Sequence, residues 1–301
     1  MSKSVQTPPL PFRLMPAAAD LPWNDRAGRF AALRAIAFAA AVLPAAWFAA
    51  AALSGAYDPE PTKAVLHLTG LWTLYFLLAT LAITPMRRLL SWPRLAGLRR
   101  MLGLTAFAYV AGHLVLYAFN ENLDLAMVAS EIASRIYLTI GFVALAGLAV
   151  LAATSCDAAI RRLGQRWRHL HRAVYPLAAL GLLHFFMQSK LDISEAAVLS
   201  GLFVALMLYR LHDRWRLGLP LLPRILAVAG LAGIAAAGLE YAWYAIATGV
   251  PAGQVLLANL DPDRARPIWA VMAICALPLP VLWVRQWLAL PAGQGARPTA
   301  A

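Results

Sequence analysis

Charge is scarce in this chain. Only 13% of its 301 residues are charged, where soluble globular domains carry about 25%. Cysteine is scarcer still: Cys156 lies beside a basic loop and Cys275 inside the last apolar stretch, a spacing that gives no metal motif and no evident disulfide. The glycine-rich G-x-G-x-x-G signature after a strand is missing. No connection between apolar stretches exceeds about twenty residues, so there is no room for a nicotinamide-binding domain. The chain therefore cannot oxidise NADPH by itself.

What it has is apolar sequence in excess. Hydrophobic residues make up 61% of the chain, against about 45–50% in soluble proteins, and one soluble core cannot bury that surplus. It falls into eight stretches, at 35–54, 64–83, 101–119, 136–153, 170–187, 195–211, 225–247 and 267–284. Each is close to the roughly 20 apolar residues a helix needs to cross hydrocarbon. These are continuous runs, whereas barrel strands alternate. The predicted fold is all-α, a polytopic transmembrane helical bundle.

The formal charge of +12 raises nucleic acid as a partner, but the positions of the charges argue against it. Lys and Arg gather in alternate connections: Arg87 to Arg100, Arg161 to Arg172, and Arg210 to Arg224. With the termini, that side holds 21 of the 26 basic residues, and the other side holds Lys63, Arg135, Lys190, Arg264 and Arg266. The positive-inside rule then puts the basic loops and both termini in the cytoplasm. Topology accounts for the charge, membrane lipid headgroups are the expected partners of the arginines, and no nucleic acid is expected. Residues 1–30 read as a cytoplasmic segment, not a cleavable signal, because Asp20, Asn24, Asp25, Arg26 and Arg29 crowd the approach to the first apolar run.

Orientation turns the histidines into depths. His113 stands about 18 Å along the third stretch and His184 about 20 Å along the fifth, both counted from the basic side. The two lie at matching depth in the outer half of the bilayer, and His67 opens the second stretch near the outer face. Ionisable groups inside spans are costly and tend to mark sites. Taken singly, each histidine could be a satisfied core residue; as a pair on neighbouring helices, they suit axial ligation of a haem iron. Zinc or copper would want further Cys, His or carboxylate ligands, which these two stretches do not supply. His171 is open between an inner haem ligand, a flavin or quinone contact and an interfacial residue, since thirteen residues put it about 220° around an ideal helix from His184. Pro176 between them softens that angle. His169 and His212 read as solvated or interfacial. Glu240, inside the seventh stretch, is either a proton or quinone site or a locally hydrogen-bonded group. Tyr117 and Phe185 lie near the two candidate ligands. Glu121, Asp124 and Glu131 form an acidic outer loop region.

The segments "TKAVLHLTG" (62–70), "FLLATLAITPMRRLLSWPRLAGLRRMLGL" (76–104), "YVAGHLVLYAF" (109–119), "IYLTIGF" (136–142) and "RRLGQRWRHLHRAVY" (161–175) follow one another in one pattern. Over about residues 22 to 215 that pattern resembles the MsrQ (YedZ) family, the haem-binding membrane subunit of the bacterial periplasmic methionine sulfoxide reductase system, within the ferric reductase-like transmembrane superfamily. The resemblance implies a haem b subunit of the inner membrane with one or two haems. His113, His184 and, as a candidate for a second haem, His171 would be iron ligands, with His67 also matching the pattern. It implies electron transfer to a periplasmic MsrP-like molybdopterin reductase, fed by quinol or a cytoplasmic flavin reductase, with FMN associated. The chain divides accordingly into residues 1–30, a ferric reductase-like domain at 31–215 and an extension at 216–301 with two further spans. The alternatives are a transmembrane metalloreductase and, from another class, a transporter or scaffold with incidental histidines.

Overall fold

The computed structural model describes residues 21–25, 27–190, 192–261 and 266–289. Most of the N-terminal segment, Arg264 of the last outer loop and the end of the extension lie outside the described residues. Among the described residues there is no strand, only an isolated bridge between Asn24 and Phe30. Eight helical segments there are long and apolar enough to cross a membrane. The chain is thus a multi-pass membrane protein, as its composition predicts.

The spans are α1 (Ala32–Leu53), α2 (Pro61–Leu89), α3 (Arg99–Asn120), α5 (Ile136–Ala153), α8 (Val174–Gln188), α9 (Ser194–Trp215), α10 (Leu221–Ala247) and the pair α12 (Pro267–Ala276) and α13 (Pro278–Ala289). Short helices fill the connections: α4 (Leu125–Ser134), α6 (Asp157–Leu163), α7 (Gln165–Leu170) and α11 (Ala252–Ala258). Several spans run past their apolar stretches. α2 continues to Leu89 through Arg87 and Arg88, because long basic side chains at a helix end reach the interface while the backbone stays hydrogen-bonded.

α2 is the axis of the bundle. Its Leu74, Leu77, Leu78 and Leu81 join Leu102 and Ala106 of α3, Leu177 and Leu182 of α8, and Leu199 and Leu206 of α9 in one core. Outward-facing Ile36, Trp47 and Leu231 remain 67%, 70% and 55% exposed, which suits a lipid solvent and would be an aggregation hazard in water. Pro85 lies within α2 and has no N–H to give to the carbonyl of Leu81. Arg210 of α9 supplies the missing donor, its Nη2 reaching that carbonyl at 2.6 Å while its guanidinium stacks 5.1 Å from the Tyr175 ring centre.

Two spans are broken. The fifth span interrupts at a 3-10 turn, His171–Ala173, ahead of Pro176. Pro176 falls in the first turn of α8, where its absent N–H has no intrahelical partner to lose. The eighth span divides at Leu277, where Pro278 and Pro280 begin α13.

The extension docks on α9 through small residues. A Cβ at Gly201 would meet Val271 Cγ2 at 2.8 Å and Ala236 Cβ at 2.9 Å. Close backbone approach of this kind is how helices associate in lipid.

Candidate functional site

The ends of α2, α3, α5 and α8 remote from the arginine-rich connections enclose a cavity of about 550 Å³. His67, His113 and His184 all line it, as do Tyr117 and Phe185. The imidazoles of His113 and His184 face one another with ring centres 6.5 Å apart and planes at 83°. Matching depth on neighbouring helices thus becomes a facing pair.

Each ring is held by the same device. His113 Nδ1 lies 2.8 Å from the Leu66 carbonyl on α2, and His184 Nδ1 lies 2.7 Å from the Tyr137 carbonyl on α5. A carbonyl can only accept, so Nδ1 carries the proton in both and Nε2 keeps the lone pair. Four residues beyond each carbonyl stands a glycine. Helical side chains lean back over the preceding turn, so a Cβ there would fall on the imidazole. At Gly70 it would come 3.0 Å from His113 Nδ1 and Cε1; at Gly141 it would come 2.7 Å from His184 Nδ1. Gly70 and Gly141 thus leave the space that the two imidazoles occupy, and neither is marked by residue chemistry in the sequence. Their signal is an isolated glycine inside a long helix, which costs stability unless something needs the space.

The mouth of the cavity is charged. Glu131, at the end of α4, accepts from the Tyr117 hydroxyl and pairs with Arg135 at 2.5 Å. The Tyr137 hydroxyl and then Glu131 hold the Arg135 guanidinium above its usual pKa, so it stays charged. Lys63 and Lys190 complete the rim. Asp124 uses its carboxylate at the N-terminus of α4, accepting from Met127 N at 2.9 Å.

His171 is not brought into this cavity. Its ring stacks on Trp167 at 3.9 Å, its Nδ1 lies 3.2 Å from the Trp167 carbonyl and its Nε2 lies 3.4 Å from Ser155 Oγ. Glu240 is fully buried away from the cavity, ion-paired with Arg266 at 3.0 Å and accepting from Asn259 at 2.6 Å. Among the described residues, no group of three or more His, Cys, Asp or Glu could hold a metal ion. Both described cysteines are free thiols.

The family described as "Ferric reductase like transmembrane component" matches residues 69–182, from α2 into α8, a stretch that contains His113, Gly70 and Gly141 and ends two residues before His184. A protein of Polaromonas naphthalenivorans named "Protein-methionine-sulfoxide reductase heme-binding subunit MsrQ" is 41% identical over 188 residues, 61% of this chain and 86% of the relative. The protein of the same name from Rhodospirillum rubrum is 41% identical over 190 residues, 62% of this chain and 89% of the relative. This chain belongs to the MsrQ family. Bordetella pertussis MsrQ is matched over 97% of its own length but only 67% of this chain, at 39% identity. About a third of this MsrQ-family chain therefore lies outside what that relative contains. No solved structure matches the chain.

Proposed function

We propose that this chain is a haem b electron-transfer subunit of the bacterial inner membrane, with His113 and His184 as the axial ligands of one haem. The facing imidazole pair carries this reading. Metal–imidazole bonds are about 2.0 Å long, and adding the distance from nitrogen to ring centre places two rings across one iron roughly 6 Å apart, close to the 6.5 Å observed. Metal-bound histidines characteristically give their other N–H to a carbonyl, and both do so here. The relatives are named as heme-binding subunits.

A haem at this site supplies a one-electron redox change at its iron, tuned by its ligands and surroundings. The protein's share is positional. The Leu66 and Tyr137 carbonyls fix the tautomers, Gly70 and Gly141 make room for the rings, and the apolar lining from Leu74, Ala144 and Leu145 keeps water away. His67 lines the same cavity beside Leu66 and forms part of its outer edge. His171 stands at the opposite, arginine-rich end, as the candidate ligand of a second haem.

The charge asymmetry supports cytoplasmic termini and a periplasmic cavity. From that side electrons would pass to a periplasmic molybdenum-dependent methionine sulfoxide reductase of the MsrP kind. Quinol or a cytoplasmic flavin reductase would supply them, FMN being the flavin associated with the family. Residues 31–215 form the haem-binding domain in this reading, and residues 216–301 form an added module.

The test is a dithionite-reduced minus oxidised spectrum of the purified protein. A b-type spectrum with stoichiometric haem is expected; a colourless protein that stays silent after haem is added back would overturn the reading. Gly141→Ala is expected to lower haem retention roughly ten-fold, the scale of losing a ligand's supporting contact, without lowering the melting temperature of the haem-free protein. Gly70→Ala should be milder, since its Cβ comes less close.

A further inference from the structure

A second cavity, of about 700 Å³, runs along the seam between α2 and α9 on one side and α12 and α13 on the other. Ala82, Met86 and Leu202 line it from the core, and Cys275, Pro278 and Val281 from the extension. It follows α2 from Tyr75 to Leu90, which is about 22 Å at the helical rise and more than one leaflet of a roughly 30 Å hydrocarbon core. Its walls are apolar, but its two ends differ.

At one end the Tyr75 hydroxyl donates to Glu195, so that pair satisfies itself. At the other end donors lack acceptors. The hydroxyl of Tyr209, which lines the cleft and is 5% exposed, has no hydrogen-bond partner among the described residues. One turn further along α9, His212 is 9% exposed with both ring nitrogens unpartnered, its Nδ1 lying 3.7 Å from Asp213 Oδ1. Arg224 Nε, in the first turn of α10, is buried and unpartnered in the same way, and Arg224 is near enough to act electrostatically on Tyr209. No side chain caps the N-terminus of α10, and its Leu221 packs against the cluster containing Leu89 and Tyr209. Arg88, paired with Asp213, and Arg285, which donates to the Leu90 carbonyl, flank this end.

Buried donors without acceptors are costly, and a cationic setting with free helix N–H groups selects an anion. We propose that this seam is a phospholipid site, with an acyl chain along the cleft and the phosphate at the Tyr209–Arg224 end. A phosphodiester is negatively charged and rich in acceptors, which suits the Tyr209–Arg224 end, whereas the Tyr75 hydroxyl at the other end is already used by the Glu195 carboxylate, whose own charge repels a phosphate. The lipid would fill the joint between the haem-binding domain and the added module.

The full-length protein would be extracted from its membranes in mild detergent, washed through exhaustive detergent exchange, and its lipids quantified by phosphorus assay and mass spectrometry. About one retained phospholipid per chain is expected. Tyr209→Phe combined with Arg224→Gln should lower retention several-fold. Ala82→Trp, which obstructs the cleft from α2 and leaves the donors intact, should do the same. The b-type spectrum of each sample reports separately on the haem site. Equal retention in both variants and the parent protein would overturn the proposal. So would recovery of an isoprenoid quinone in place of phospholipid, or displacement of the lipid by inorganic phosphate alone, which would show that only an anion is bound.

Discussion

Replacing either His113 or His184 by alanine is expected to remove the b-type absorption, with haem retention falling more than 100-fold. Losing a hydrogen-bond partner of a metal ligand typically costs 10–100-fold, and a missing ligand should exceed that. The two variants should be equally damaging because the two sites are built alike, each imidazole fixed through Nδ1 to a helix carbonyl with a glycine one turn on. Neither change should unfold the apoprotein, since the rings border a cavity and do not fill a packed core. Haem content and melting temperature of the haem-free protein are therefore read together. His169→Ala serves as the control, its exposed ring bonding only to the Gln165 carbonyl of its own turn. Full absorption in His184→Ala would sink the ligand assignment. His171→Ala adds a further discrimination: halved haem content would assign it a second haem, whereas unchanged content would leave it to its stacking on Trp167.

Much of this was legible before any coordinates, for a physical reason. A helix in lipid must satisfy its own backbone, so a fixed rise per residue converts sequence position into depth. Together with the orientation that the basic loops give, it puts His113 and His184 at matching depth and His67 near the outer face. It could not show that the rings face one another, because rotation about a helix axis accumulates error over a dozen residues and a 3-10 turn breaks the fifth span. Gly70 and Gly141 are visible in the sequence, yet their purpose depends on an imidazole arriving from another helix. The short α4 escaped notice because ten residues do not cross a bilayer, although its Glu131 ties together Tyr117 and Arg135 at the cavity mouth. Glu240 was undecided from sequence, since both partners come from beyond an irregular connection of unpredictable path.

The structure gives Glu240 a local role, and its removal carries the largest expected cost in stability. Glu240 stands toward the C-terminal end of α10 with no exposed surface. Arg266, which precedes the first turn of α12, pairs with one carboxylate oxygen at 3.0 Å. Asn259, at the end of α11, donates to the other at 2.6 Å and also to the Val255 carbonyl at 3.1 Å. One side chain thus joins three helices of the extension. Truncating one partner of a buried pair leaves the other charge uncompensated and typically costs about 3–5 kcal/mol. Glu240→Ala should accordingly lower the melting temperature in detergent by about 10 °C. Glu240→Gln should fall between, because the amide still accepts from Asn259 but leaves Arg266 unmatched. Replacing Glu240 and Arg266 together by leucine and methionine should recover most of the loss, since a well-packed apolar pair is often as stable as the ion pair it replaces. The haem spectrum should stay unchanged in all three, as none of these residues lines the His113–His184 cavity. If Glu240→Ala instead melts like the parent protein while electron delivery to the acceptor collapses, the carboxylate is a proton-handling group and the structural role is wrong.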